Sequence, residues 1–169
     1  MNTGYRTQLT RQIGEHLVVS KLGRQGIIAT PFAGNVPDYD LLASDLEGHS
    51  LPLQVKAING ISWQFTANSF LDIEIKNEKQ IIKGKKNLKN SALICVLVVL
   101  DKNEKDTFYV LKKSDLQEII FHKYTSKATN GVRIRPRNSK STHCAVWPED
   151  LEPFRNNWKL ITDHFDPIE

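Results

Sequence analysis

The spacing of apolar residues near the start of the chain changes from a helical period to short continuous runs. Leu9, Ile13 and Leu17 recur at a helical interval, so residues 7–22 are predicted to form a helix. The apolar stretch 27–32 that follows is too short for a typical helix and predicts a β-strand. The chain is therefore expected to open with a helix followed by a strand.

A carboxylate lies on an apolar side of this predicted helix. Val18 and Leu22 add apolar residues on a second side, so the helix is expected to be largely buried, and Glu15 falls on that same side. An unpaired buried charge is costly, so Glu15 is expected to be paired, protonated or bound to a metal. The open alternative is a glutamate that reaches solvent beside Arg11.

Two short apolar runs separated by a polar turn come next. The runs span residues 41–43 and 51–55, and Gly48 lies in the turn between them, which together predict a β-hairpin. Side chains alternate between the two faces of a strand. Gln54 and Lys56 are therefore expected to share one face, and the apolar residues on either side of Gln54 to point the other way.

Residues suited to a cation and phosphate site meet in this hairpin. Asp40 directly precedes the first strand, so pairing around the turn places it near Gln54 and Lys56. Glu15 would add a carboxylate from the helix and the backbone carbonyl of Val55 a further oxygen. Magnesium prefers such oxygen ligands and keeps several waters. In phosphodiester hydrolysis, Lys56 would neutralise phosphate charge and orient, or help to deprotonate, the attacking water.

The middle of the chain predicts the centre of a sheet and its neighbours. Residues 92–100 are apolar on both faces, so we expect a strand in the middle of a covered sheet. Residues 107–111 are expected to pair beside it, and residues 62–66 predict a strand or the start of a loop. The polar, lysine-rich segment 76–90 predicts a solvated loop or helix surface.

Two further helices complete the pattern. Ser114 is expected to cap a helix that ends near Tyr124, and the apolar spacing over residues 149–163 predicts a last helix. The resulting order predicts one α/β domain over residues 1–169, with a mixed central β-sheet flanked by helices on both faces. Residues 125–143 have little apolar content and are expected to form a mobile basic loop.

The composition narrows the class of protein. With 40% hydrophobic and 25% charged residues the chain is typical of a globular protein, and its net charge of +4 permits a polyanionic partner. Cys95 and Cys144 lack metal-ligand spacing, and Cys95 lies in an apolar run that predicts a buried thiol, which favours a reducing compartment. The longest apolar run, 92–100, is too short to span a bilayer, and the first residues lack an apolar signal core. A cytoplasmic location without a membrane partner is therefore expected.

Two basic clusters outside the hairpin have side chains that can contact phosphates, although such clusters are often merely solvated. In chain order their members are Lys83, Lys85, Lys86, Arg133, Arg135, Arg137 and Lys140. Trp63 and Phe65 would share a face of the strand predicted there. They are candidates either for stacking on a base or for the hydrophobic core.

The order of the candidate site residues resembles the PD-(D/E)xK nuclease superfamily. This superfamily includes type II restriction enzymes, Holliday-junction resolvases and Mrr-like restriction proteins. Its first acid maps onto Asp40, in preference to Asp38, because Asp40 directly precedes the apolar run. Its (D/E)xK motif maps onto the sequence QVK at residues 54–56, with Gln54 in place of the acid, as in Mrr-like branches. Its helical acid maps onto Glu15.

The resemblance implies a restriction endonuclease-like fold and a magnesium-dependent endonuclease, with Mn²⁺ as a substitute and DNA favoured over RNA. It implies catalytic roles for Glu15, Asp40, Gln54 and Lys56. The metal ligands would be Asp40, Gln54, Glu15 and the Val55 carbonyl. Many relatives are homodimers, because cleavage of a duplex needs two sites.

Gln54 leaves two alternatives to a nuclease open, because it removes one carboxylate ligand from the implied metal site. The first is a catalytically inactive nucleic-acid-binding or assembly module on the same fold. The second is a protein-interaction domain with no role in nucleic-acid binding, in which the basic segments are only solvated.

Overall fold

A computed structural model describes residues 3–34, 36–135 and 137–165 of the chain. The chain divides into two compact units. The first is built from the described residues of Met1–Ile61, Leu93–Lys112 and Leu151–Glu169, and the second from Ser62–Ala92 and Lys113–Asp150. Compact units of this kind can belong to one domain, and the single domain expected over residues 1–169 stays a prediction.

The described chain combines three α-helices with ten short strands, and eight of these strands follow one another between the first two α-helices. Two short 3₁₀ helices, Ala67–Ser69 and Pro148–Phe154, accompany them. In chain order the elements are α1 (Thr3–Gly23), β1 (Ile28–Pro31), β2 (Leu41–Ser44), β3 (Ser50–Ile58), β4 (Trp63–Thr66), β5 (Leu71–Lys76), β6 (Lys79–Lys85), β7 (Ile94–Val99), β8 (Thr107–Lys112), α2 (Lys113–Thr125), β9 (Val132–Ile134), β10 (His143–Val146) and α3 (Lys159–Phe165).

The first unit contains a mixed five-stranded sheet in the order β1-β2-β3-β7-β8. The predicted hairpin is confirmed, because β2 and β3 pair antiparallel with Leu41 opposite Leu53. Strand β7 runs parallel to β3, with Val55 opposite Val96, and antiparallel to β8. The strongly apolar β7 is therefore an interior strand of the sheet, as its sequence predicts, and the mixed α/β fold class is confirmed.

Both faces of the middle of this sheet are covered. On one face Leu53, Val55 and Val96 pack in a core with Val18 of α1 and Ile161 of α3. The alternate residues of β7 and β8 point the other way, and they are buried as well. They are Cys95, Leu97, Tyr109 and Leu111. This double burial explains why β7 is a continuous apolar run rather than an alternating one.

Helix α1 buries a narrower side than its sequence suggests. Val18 and Leu22 are fully buried, whereas Ile13 is exposed. The expectation of a largely buried helix is therefore wrong at Ile13, whereas Leu17 of the same stripe is half-buried and packs against the core. The buried side is the one that carries Glu15, which is itself buried.

Gly14 allows α1 to approach β3 closely. A Cβ atom built on Gly14 would lie 2.4 Å from the Cβ of Ala57, a distance that side chains do not adopt. Any larger residue would push the helix away from the strand. The missing side chain thus sets the distance between the elements that carry Glu15 and Gln54.

Replacing Gly14 with alanine is expected to lower the free energy of unfolding by about 1–3 kcal/mol, the usual cost of overpacking a well-packed interface. Gly23→Ala is the matched control, since nothing lies within 4 Å of a Cβ atom there. Alanine at that helical position should be neutral or stabilising. Urea denaturation of both variants measures the difference, and equal stability of the two would contradict this role of Gly14.

The lysine-rich segment contains the turn and the second strand of another β-hairpin, so the prediction of a loop or helix surface is wrong for residues 79–85, whereas residues 86–90 form a loop. Strands β5 and β6 pair antiparallel, and Asn77 and Glu78 form the two-residue turn with φ angles of +48° and +58°. Two left-handed residues match the twist of a hairpin. The lysines interrupt the alternation of apolar and polar residues that would predict a strand, and the turn lacks the glycine that usually marks a hairpin.

The predicted last helix is also wrong in part. Residues 149–163 are divided between the 3₁₀ helix Pro148–Phe154 and α3. Pro153 has no N–H to donate, and Asn156 adopts a left-handed φ of +51°, so an α-helix cannot continue between them. Helix α2 ends near Tyr124 as expected but begins at Lys113, so Ser114 lies within its first turn rather than capping it.

The second unit holds a three-stranded sheet in the order β5-β6-β9 and the two-stranded pair β10-β4. Strand β9 lies within residues 125–143, the segment expected to be a loop, and pairs antiparallel with β6. The mobility of that segment stays a prediction. Within the described ranges of the chain, no helix is long and apolar enough to cross a membrane.

Candidate active site

Asp40 is fixed at the entrance to the hairpin by both its backbone and its side chain. Its N–H donates to the carbonyl of Leu53 at 2.9 Å, and its carbonyl accepts from the N–H of Phe32 at 3.1 Å. The side-chain Oδ2 accepts a hydrogen bond from the N–H of Val55 at 2.8 Å. The carboxylate therefore lies against β3, between the positions of Gln54 and Lys56, as the register of the predicted hairpin requires.

An arginine of α1 joins the two predicted acids. The Arg11 Nε donates to Oε1 of Glu15 at 2.7 Å, and its Nη2 donates to Oδ1 of Asp40 at 2.9 Å. The side chains of Glu15 and Asp40 are only 11% and 15% exposed, whereas Arg11 is 51% exposed. The hydrogen bond with Glu15 raises the pKa of Arg11, so the guanidinium stays charged. Of the states expected for Glu15, the structure shows the paired one.

Gln54 lies on the face of β3 opposite to the core and is half-buried. Its Nε2 donates to the carbonyl of Asp38 at 3.3 Å. The thiol of Cys95, on the neighbouring strand, lies 3.8 Å from Oε1 of Gln54 and can donate to it. Because these contacts involve both ends of the amide, its orientation depends on β7 as well as on the hairpin.

Lys56 follows on the same face of β3, and this residue is exposed. The structure thus brings Glu15 and Asp40 to one guanidinium and places Asp40 on the backbone between Gln54 and Lys56. Within the described ranges, no group of three or more His, Cys, Asp or Glu residues could hold a metal. The oxygen donors predicted for a cation are instead two carboxylates, an amide and a backbone carbonyl, and their role as ligands stays a prediction.

The lysines of the first predicted basic cluster form ion pairs and hydrogen bonds within the second unit. Lys83 Nζ lies 2.8 Å from Oε2 of Glu74, and hydrogen bonding to that carboxylate raises the pKa of Lys83. Lys85 forms an ion pair with Glu118. Lys86 Nζ lies 2.6 Å from the carbonyl of Asn68. These contacts reduce the positive charge available to a phosphate, and the nucleic-acid role of the three lysines stays a prediction.

The second basic cluster divides into a buried and an exposed part. Arg133 is buried, with its guanidinium 4.0 Å from the ring centroid of Tyr124, and this burial lowers the pKa of Arg133. This position argues against the prediction that Arg133 contacts nucleic acid. Arg135 donates to the carbonyl of Ser141 at 2.8 Å, whereas Arg137 and Lys140 are exposed.

The two aromatic residues of β4 belong to the interior. Trp63 and Phe65 are buried, and the intervening Gln64 is exposed, so they share a face as the strand pattern predicts. Of the two roles that the sequence left open, the structure favours packing over stacking on a base. Phe65 packs edge-to-face against Phe70, with ring centroids 6.0 Å apart.

Arg11 is the site residue to which sequence reasoning gave no functional role. The sequence suggests it only as a solvent-side neighbour of Glu15. The available signal was its spacing, because residues four positions apart lie side by side on a helix. Its second contact, to Asp40, joins residues 29 positions apart and could not be read from local sequence.

Comparison with known proteins shows a shared fold. No protein-family model and no curated protein sequence matches the chain. Among solved structures, the chain is similar to a bacterial homing endonuclease, I-Ssp6803I. The TM-score is 0.50 and the sequence identity 16%, and the match covers 93% of each chain. Membership of the PD-(D/E)xK superfamily stays a prediction, and what the comparison establishes is that this α/β fold is similar to that of a homing endonuclease.

Proposed function

We propose that the protein is a metal-dependent nuclease that hydrolyses phosphodiester bonds, with DNA as its substrate. The observation that carries the proposal is the position of Asp40. Its carboxylate lies on the backbone of β3 between Gln54 and Lys56, at the end of a hairpin inside a mixed sheet. The similarity in fold to a bacterial homing endonuclease supports the same proposal.

The residues at the hairpin fit a hard divalent cation. Asp40, Glu15, Gln54 and the Val55 carbonyl offer oxygen atoms only, and Mg²⁺ binds through one or two carboxylates while keeping several waters. Mn²⁺ accepts the same ligands. When bound, the cation would polarise a phosphoryl oxygen and lower the pKa of a water.

Each protein group then has a separate task. Asp40, just before β2, and Gln54, on β3, would hold the cation, and the Val55 N–H fixes the carboxylate of Asp40 in place. The ammonium of Lys56 stabilises the negative charge that develops on the phosphate and orients the attacking water. Glu15 adds a carboxylate from α1, at a distance set by Gly14.

The second candidate function is a catalytically inactive nucleic-acid-binding or assembly module. Two observations favour it. Gln54 occupies the position at which a carboxylate would strengthen cation binding, and Arg11 already neutralises both acids. Such a module would bind DNA in a salt-dependent way and cleave nothing. The third possibility, a domain that binds only other proteins, predicts no salt-dependent shift of labelled DNA.

Incubation of the purified protein with supercoiled plasmid DNA distinguishes these functions. We expect nicked or linear product with Mg²⁺ or Mn²⁺ and none with EDTA, because the cation completes the site. Binding of labelled DNA without cleavage in either metal would reject the nuclease and support the inactive module. Parallel incubation with RNA tests the choice of DNA, since cleavage of RNA alone would contradict that choice.

A further inference from the structure

We propose that the second unit carries a phosphate-binding cleft that holds the backbone of duplex DNA. This inference rests on the proposed function, for which it names a surface that binds the substrate. The cleft has a volume of about 450 Å³ and lies between the β5–β6 turn and the segment that follows β9. Its lining residues are Asn77, Glu78, Lys79, Ile134, Arg135, Arg137, Asn138, Ser139 and Lys140.

Strand pairing brings the two sides of the cleft together. Lys79, at the start of β6, lies opposite Ile134, at the end of β9. Cross-strand partners in an antiparallel pair point to the same face, so both side chains project from one side of the sheet. Arg137 and Lys140 follow Ile134 closely in the chain. Two segments that are distant in the sequence thus form one surface.

The charge of the cleft is positive and available. Four of its nine lining residues are Lys79, Arg135, Arg137 and Lys140, against the single acid Glu78. Lys83 and Lys85 on the same hairpin are paired with carboxylates. Among the residues that the structure describes, no ion pair joins Lys79, Arg137 or Lys140 to an acid. A surface of this kind suits a polyanion, and release of counterions makes its binding depend on salt.

Hydrogen bonds from buried side chains restrain the segment that follows β9 and lines the cleft. Gln80 is fully buried, and its Nε2 donates to the carbonyls of Ser139 at 2.6 Å and Ser141 at 2.9 Å. Tyr124 donates its hydroxyl proton to Oε1 of Gln80. Arg135 also donates to the Ser141 carbonyl. Backbone that is restrained by such hydrogen bonds loses less entropy when it binds a ligand.

An apolar side chain lies among the cations. Ile134 is 63% exposed, although isoleucine is usually a core residue. A deoxyribose or a thymine methyl group offers an apolar contact that a free inorganic anion does not. The combination of three cations with an exposed isoleucine therefore favours DNA over a small phosphate ligand.

The test compares two triple variants with the same change of charge. Lys79→Ala, Arg137→Ala and Lys140→Ala are combined in the cleft variant. The control combines Lys102→Ala, Lys105→Ala and Arg24→Ala at exposed positions of the first unit. Binding of a fluorescent DNA duplex is measured by anisotropy over a range of salt concentrations, with EDTA present to prevent cleavage.

In the cleft variant, the magnitude of the slope of log affinity against log salt should fall by about 2–3, since each lost phosphate contact contributes about 0.9 to the slope. The control should keep the wild-type slope. Ile134→Ala removes no charge, so we expect weaker binding at every salt concentration with an unchanged slope. Equal slopes for the cleft and control variants, or no DNA binding by the wild-type protein, would overturn the proposal.

Two further comparisons test the choice of ligand and distinguish failure of the cleft from failure of the proposed nuclease. Competition by inorganic phosphate that fully displaces DNA, or tight binding of an RNA duplex alone, would contradict duplex DNA as the ligand. A cleft-dependent slope without plasmid cleavage would support the cleft and reject the nuclease. Cleavage with a normal slope in the cleft variant would reject the cleft and leave the nuclease standing.

Discussion

Lys56→Ala and Asp40→Asn are each expected to lower metal-dependent DNA cleavage by about 10²–10³-fold or more, while the protein remains folded. Lys56 is itself exposed and lies on the face of β3 opposite to Leu53 and Val55, so its loss should not disturb the core that these two residues form. In the proposed mechanism its ammonium acts on charge that develops during hydrolysis, which is where electrostatic groups have their largest effect on rate.

Asparagine is the sharper replacement at Asp40. Its side-chain oxygen can still accept the hydrogen bond from the Val55 N–H, so the local fold is retained. What it loses is the negative charge that faces Arg11 and that would bind the cation. Loss of cleavage by Asp40→Asn can then be assigned to chemistry rather than to unfolding.

The controls reproduce each change of charge elsewhere in the first unit. Lys105→Ala removes an exposed ammonium from the turn before β8, and Asp163→Asn removes a half-exposed carboxylate from α3. Both controls should cut plasmid DNA at the wild-type rate, and circular dichroism melting checks that all four variants fold. Cleavage at the wild-type rate by both Lys56→Ala and Asp40→Asn would show that the active site lies elsewhere in the protein.

The hairpin was predictable because local pattern and long-range packing agree there. Leu41 and Leu53 are apolar positions on neighbouring strands, and Gly48 marks the turn with a φ of +93°. The side-chain period of two then decides which residues face away from the core. The positions of Asp40, Gln54 and Lys56 relative to one another followed from that periodicity.

The second hairpin was not predictable by the same argument, because its sequence lacks both signals. Lys83 and Lys85 break the apolar alternation of β6, and the turn uses Asn77 and Glu78 instead of glycine. The buried position in β6 that holds the neighbouring loop is polar, namely Gln80. A buried glutamine is satisfied only by partners distant in sequence, which no local pattern indicates.

Contacts between distant segments also explain what the sequence left open at the site. The pairing of Glu15 with Arg11 is local and could be anticipated from helical spacing. The link from Arg11 to Asp40 depends on how closely α1 approaches β3, which Gly14 controls. The site is therefore determined by one glycine as much as by its charged residues.

Arg11→Ala should have opposite effects on stability and on cation affinity. Without the guanidinium, the buried carboxylate of Glu15 loses its 2.7 Å partner, so the free energy of unfolding should fall in the absence of metal. The same change removes a positive charge that contacts both acids. Affinity for Mg²⁺ or Mn²⁺ should rise by about tenfold, since repulsion of roughly 1.4 kcal/mol is removed.

Isothermal titration with each metal and thermal unfolding with and without metal measure the two effects. Arg24→Ala is the control, because it removes an exposed guanidinium just beyond the end of α1 and should change neither. Arg11→Lys keeps the charge without the fork that spans both acids, so its affinity for metal should stay close to that of the wild-type protein. Weaker metal binding by Arg11→Ala would mean that Arg11 aligns the carboxylates for a cation instead of competing with it. In either case, a change in metal affinity that Arg11→Ala shows and Arg24→Ala does not would identify the Glu15–Arg11–Asp40 contact as the element that governs access of a cation to the hairpin.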